Sequence, residues 1–143
     1  MKTPKIDLSS YADHYNDGTI RVVFFKDYDL QRLFLLLNNH NPISLPQLTE
    51  QFEATFKRSV DKRWVDYKLK KIEVFELFVK KNYKECNEKE DAEIIKKHKE
   101  WIVESNLPLQ LANSLNPNYY CLTQKGIDWV DKVNEIIKKR KNG

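Results

Sequence analysis

Apolar side chains recur along this chain at helical spacing over much of its length. Leu30, Leu33, Phe34 and Leu37 fall at i, i+3, i+4 and i+7, which predicts a helix over residues 30–38. Asp27 or Asp29 can cap it, and Asn38-Asn39-His40-Asn41-Pro42 ends it, because the residue before proline is pushed out of the helical region. Ser44-Leu45-Pro46-Gln47 opens a second helix: Ser44 caps, Pro46 suits the first turn, and Gln47 completes a capping box. That helix runs to residue 56 with Leu45, Leu48, Phe52 and Phe56 inward. Ser59 is expected to cap a third helix from Val60, with Val65, Leu69, Ile72, Phe75 and Val79 inward. Nothing between residues 60 and 83 breaks a helix, so one long helix is expected, a strand over 72–79 being the alternative its content allows.

Other stretches follow different patterns. Residues 19–26, TIRVVFFK, are rich in β-branched and aromatic side chains and predict a strand. Residues 93–105 read as a helix with Ile94, His98, Trp101 and Ile102 on one side, and Asn106-Leu107-Pro108 starts a short one. After the turn Asn116-Pro117-Asn118, residues 119–122 form a short strand. Thr123 then caps a last helix over 124–139, with Ile127, Val130, Val133 or Asn134, and Ile137 inward. Residues 1–18 are a polar lead-in. Asp13 opens what resembles a calcium loop, but Tyr15 stands third and Phe24 stands where glutamate belongs, so no calcium site is expected.

Composition narrows the fold class. The chain has 143 residues, 41% hydrophobic, 12% aromatic and 32% charged, which excludes a disordered chain. Only three glycines disfavour phosphate-cradling loops and turn-rich all-β folds. The expectation is a mainly α protein with a small β-sheet, a single domain over residues 1–143 with a helical insertion at about 72–118. No signal-peptide stretch or membrane-length apolar run is present, so a cytoplasmic protein with reduced thiols is expected.

Signals for chemistry are weak. Cys86 and Cys121 form no CxxC pair, and His14, His40 and His98 lie far apart, so no metal and no cofactor is expected. His98 reads as a satisfied, partly buried histidine and Cys121 as a small core residue, while the acidic connector around Cys86 should raise its thiol pKa. The acidic pairs Glu73/Glu76 and Glu88/Glu90 sit on helix faces or a connector and not on adjoining rigid elements, which argues against an enzyme.

The charge distribution is more informative than the net charge of +4. Three helices in a row with a short joint, Lys57-Arg58-Ser59, have the spacing of a helix-turn-helix unit. Residues 57–71 hold seven basic side chains, Lys57, Arg58, Lys62, Arg63, Lys68, Lys70 and Lys71, against Asp61 and Asp66. That clustering is the footprint of a nucleic-acid reader, although a Lys-rich solvated helix face also looks this way. The basic end Lys138-Lys139-Arg140-Lys141 reads as a solvated helix terminus.

The segment Tyr119-Tyr120-Cys121-Leu122-Thr123-Gln124-Lys125-Gly126-Ile127 carries a family resemblance. A strand ending in Tyr-x-Leu-Thr-x-Lys-Gly before an amphipathic helix resembles the segment after the wing in winged helix-turn-helix proteins of the MarR and PadR groups. In that comparison Leu122 enters the core, Thr123 caps and Gly126 allows close packing on the recognition unit. The resemblance covers residues 28–71 and 119–139. It departs from the pattern between them, where 47 residues without glycine replace a compact hairpin, and residues 19–26 are the candidate partner strand.

The resemblance implies a small transcriptional regulator that reads double-stranded DNA with the helix at about 60–71. Ser59, Lys62, Arg63, Asp66 and Tyr67 would be exposed on that helix, Arg63 being the candidate for a guanine edge. Lys57, Arg58, Lys68, Lys70 and Lys71 would contact phosphates, and Trp64 would pack at the helix border or stack on a base. A homodimer through the C-terminal helices would match a palindromic site. Two other readings remain: a helical adaptor that binds a protein through Trp64, Tyr67, Trp101 and Trp129, and a binder of RNA or single strands.

Overall fold

Asp27 ends one helix and starts the next. In the computed structural model, which describes residues 17–142, α1 (Asp17–Lys26) stops at Asp27, whose carboxylate accepts the Leu30 amide at 3.1 Å and caps α2 (Tyr28–Asn39). Residues 19–26 are therefore helix and not strand. Ile20 and Phe24, four apart, fall on one face, and Phe24 packs on Phe34 at 5.1 Å and Trp129 at 6.5 Å between ring centroids. Burial of that face overrides the strand propensity of the segment. Asp13 and Tyr15 of the calcium-like pattern lie outside the described residues; Asp17 and Gly18 begin α1.

The chain then forms β1 (Ile43–Ser44), α3 (Leu45–Phe56) and α4 (Lys62–Glu73). Ser44 caps α3, its hydroxyl accepting the Gln47 amide at 3.3 Å. Lys57 ends α3 in the left-handed region, with φ 54°. The cap of α4 is Asp61 and not Ser59, and the helix begins at Lys62. The Asp61 carboxylate accepts the Arg63 amide at 2.7 Å, while the Val60 amide is taken by Glu53 at 3.1 Å.

The long helix expected over residues 60–83 ends at Glu73. The chain turns through Glu76 (φ 57°) into β2 (Phe78–Asn82). Phe75, Leu77 and Phe78 are all buried, and no single helix face could hold all three. Pairing with β3 (Asn118–Leu122) satisfies the β2 backbone instead. Val79, expected inward, is exposed on this strand pair. The sheet is antiparallel in the order β1-β3-β2, with Ile43 opposite Tyr120 and Phe78 opposite Leu122. The partner strand is thus β2 and not residues 19–26.

Between β2 and β3 stand a 3-10 turn (Tyr83–Glu85), α5 (Ala92–Ser105) and α6 (Leu109–Ser114), so the helical insertion starts later than residue 72. His98 of α5 fastens it to the sheet: its Nδ1 lies 2.8 Å from the Tyr119 hydroxyl, and its ring stacks on Tyr83 at 3.6 Å. The last helix is α7 (Gln124–Asn142), opened by the Thr123 hydroxyl, which accepts the Gly126 amide at 3.1 Å. A Cβ on Gly126 would stand 1.9 Å from the Leu77 carbonyl oxygen, so glycine there permits the close approach of α7 to the chain behind α4. This approach sets the helix phase. Trp129, Val133 and Ile136 are buried, whereas Ile127, expected inward, is 45% exposed, and Asn134 is also exposed.

The described residues thus form a mainly helical protein with seven α-helices and a small three-stranded antiparallel sheet. In chain order α2, β1, α3, α4 and β2 follow one another, and β3 returns after α5 and α6 to pair between β1 and β2. Its core joins Leu33, Phe34 and Leu37 to Leu48, Phe52, Val65, Leu69 and Tyr120.

Candidate nucleic-acid interface

Helix α4 buries Val65, Leu69 and Ile72, which turns Arg63, Tyr67 and Lys70 outward. Tyr67 is 61% exposed, with the Lys71 ammonium 5.6 Å from its ring centre. Lys57, Lys62 and Arg63 are exposed and form no ion pair among the described residues. Ser59 lies exposed in the turn before the helix.

The other cations of this segment are paired. On one flank of α4, Lys68 and Lys71 reach Asp27 at 2.9 and 3.2 Å, and Arg58 and Arg32 reach Asp29 at 2.8 and 3.5 Å. On the other flank, Lys80 of β2 and Lys70 reach Asp66 at 3.0 and 3.6 Å. Asp66 is not part of the exposed face. It turns to the sheet and accepts the Tyr120 hydroxyl at 2.6 Å. Each of the three carboxylates holds two cations, while the exposed Glu73 at the end of α4, close enough to Tyr120 to raise its phenol pKa, adds negative charge on the Asp66 side.

Burial by itself would raise the Asp27 carboxyl, but hydrogen bonds from Lys68, the Leu30 amide and Lys71 outweigh it and hold the group below its ordinary range. At Asp66 burial is likewise outweighed, here by Tyr120 and Lys80, and the pKa is again lowered.

Aromatic rings order the arginines. The Arg32 guanidinium lies 4.9 Å from the Tyr28 ring centre and 4.6 Å from that of Phe56. Arg58 lies over Phe52 and Trp64 at 5.6 and 5.2 Å. Trp64 is half-buried and packs on Phe52 at 5.5 Å, the border role and not an open stacking platform. At the other end of the chain, Arg140 lies over Tyr28 at 4.3 Å and donates to the Phe25 carbonyl, so it is folded onto α1 and α2 and is no solvated terminus. Arg32 and Lys80 carry no signal in the sequence, and Asp27 and Asp29 signal only a helix cap. Arg58 and Asp29 are 29 residues apart and Lys68 and Asp27 are 41 apart, beyond any local pattern.

Beyond α3 the surface changes sign. Glu50 of α3 and Glu100 and Glu104 of α5 line a cleft of about 590 Å³, beside His40 and Lys97. Burial pushes the Cys86 thiol up, and it pushes Cys121, half-buried on the sheet, up to about 11. Among the described residues no three His, Cys, Asp or Glu side chains come together to hold a metal ion, and no helix is long and apolar enough to cross a membrane.

Comparisons with family models, with curated proteins and with solved structures give no match to this chain.

Proposed function

We propose that this protein binds double-stranded DNA as a winged helix-turn-helix regulator and lays α4 in the major groove. The observation that carries the reading is the position of α4 between two sets of ion pairs, each with more cations than carboxylates. A major groove about 12 Å wide takes one helix and sets a phosphate backbone on each side of it. Here Arg58, Lys68 and Lys71 stand on one side of the outward stripe, and Lys70 and Lys80 on the other. Arg63 and Lys62, which form no ion pair among the described residues, would meet base edges from the helix start, and Tyr67 follows one turn later. Lys57 and Ser59 precede the helix on the same exposed surface and add backbone contacts. Helices α5 and α6 join β2 to β3 in place of a compact basic tip, so minor-groove contact by a wing is not part of the reading. A dimer through α7 would pair two such helices on a palindromic site.

The test is fluorescence anisotropy against duplex DNA, single-stranded DNA and RNA across a salt series. Neutralising about five phosphates gives a log–log slope near −4.5 on duplex. Preference for duplex with such a slope supports the reading. Absence of binding at low salt removes it and favours an adaptor, though not through the aromatic surface expected: Trp101 and Trp129 are buried, and Val103 and Leu111, 78% and 56% exposed, are the apolar side chains that the insertion presents.

A further inference from the structure

We propose that Arg32, Arg58 and Lys71 form one row that grips a single phosphodiester backbone of the duplex. The inference rests on the reading of α4 as the groove-entering helix. It adds a contact from α2, a helix that carries no basic cluster in the sequence, and it assigns Arg32 to DNA positioning.

Depth decides the sign of this surface. The side chains of Arg32, Arg58 and Lys71 are 36%, 45% and 40% exposed, whereas those of Asp29 and Asp27 are 20% and 15% exposed. The carboxylates lie beneath and the cations lie outermost. An approaching polyanion therefore meets the cations first. Each carboxylate also sits between two cations, so it spaces them without neutralising both. Lys68, only 16% exposed, is the inner partner at Asp27 and stays out of the row.

Stacking supplies the second part of the argument. The rings of Tyr28 and Phe56 hold the Arg32 guanidinium, and those of Phe52 and Trp64 hold Arg58. A guanidinium held through its face keeps its N–H donors at the edge; Arg58 and Arg32 each turn one nitrogen to Asp29, which leaves the remaining donors to meet phosphate oxygens, and the ordering is complete before the ligand arrives. Arg140 is stacked as well but does not join the row. One of its terminal nitrogens donates to the Phe25 carbonyl, and Nη1 is buried with no hydrogen-bond partner among the described residues.

Phosphate contacts position a protein without reading sequence. The row therefore predicts a loss that is the same on every duplex. Anisotropy with Arg32→Gln, Lys71→Gln and Arg63→Ala, on a selected site and on a scrambled duplex, tests this. Arg32→Gln and Lys71→Gln should each reduce the salt slope by about 0.9 on both duplexes. Arg32→Lys, which keeps the charge, should restore the slope. Arg63→Ala should weaken the selected site far more than the scrambled one. Circular dichroism confirms the fold of each variant, and Lys71→Gln, at the exposed end of the row, carries the test if Arg32→Gln fails to fold. An unchanged slope in folded variants that still bind duplex overturns the row and leaves the reading of α4 standing. Wild-type protein that binds no duplex at low salt overturns both. Tighter wild-type binding to phosphatidylserine vesicles than to duplex, lost in Arg32→Gln, overturns the assignment to nucleic acid.

Discussion

The Tyr120 hydroxyl of β3 donates to the Asp66 carboxylate of α4 at 2.6 Å, and this contact fixes how α4 is rotated against the sheet. The Tyr120 side chain is fully buried, and burial pushes its phenol pKa far up, so it acts as a donor throughout the accessible pH range. Tyr120→Phe is expected to lower stability by about 1.5–3 kcal/mol, the usual worth of a hydrogen bond to a charged group. Asp66→Ala would leave that hydroxyl without its acceptor. The double variant should therefore cost less than the two singles together, which urea denaturation of all four proteins measures.

Gly126→Ala is expected to destabilise the protein by at least about 1–3 kcal/mol, as overpacking does. The added methyl would meet the Leu77 carbonyl oxygen at 1.9 Å, and backbone cannot swing aside as a side chain can. Because Thr123 also bonds Leu77 and Glu76 through its amide and hydroxyl, the shift would propagate into the turn behind α4. Equal denaturation midpoints for the variant and the wild type would refute this account.

Acid should loosen α4. The Asp27 and Asp66 carboxyls have folded pKa values below their ordinary 3.8. A group depressed in this way contributes stability that is present above its unfolded pKa and is lost as pH falls through the folded one. The melting temperature is therefore expected to hold from neutral pH to about 5 and to drop below about 4. Asp27→Asn should begin lower at neutral pH and lose less on acidification, which thermal melts of both proteins across that range would show.

Both thiols should be sluggish. With Cys121 pushed up to about 11 by burial and Cys86 also raised, a disulfide reagent at pH 8 should modify the folded protein much more slowly than the protein in guanidinium. The rate of thiolate release, followed by absorbance, checks it.

Several elements were legible in the chain itself because their signals are local. The four-residue spacing of Leu30, Leu33, Phe34 and Leu37, the Ser44 cap and the Thr123 cap each act within one turn of helix, and each stands in the structure as read. The His98 side chain, read as a satisfied partly buried group, has its partner in Tyr119. The cluster of cations over residues 57–71 was equally plain, since charge is additive along a sequence.

Tertiary structure alone decided the rest. Residues 19–26 have strand content, yet they became helix because Ile20 and Phe24 could be buried together on Phe34 and Trp129. The phase of α7 followed from the approach of Gly126 to Leu77, a contact across 49 residues that turns Trp129 inward and Ile127 outward. The charges of α4 were sorted in the same way: Asp27 and Asp29, distant in sequence, draw in Lys68, Lys71 and Arg58, and leave Lys57, Lys62 and Arg63 without an ion pair among the described residues. Propensity and charge belong to single residues and short windows. Which of them face one another depends on the energy of burying distant surfaces, and that energy exists only once the chain has closed on itself.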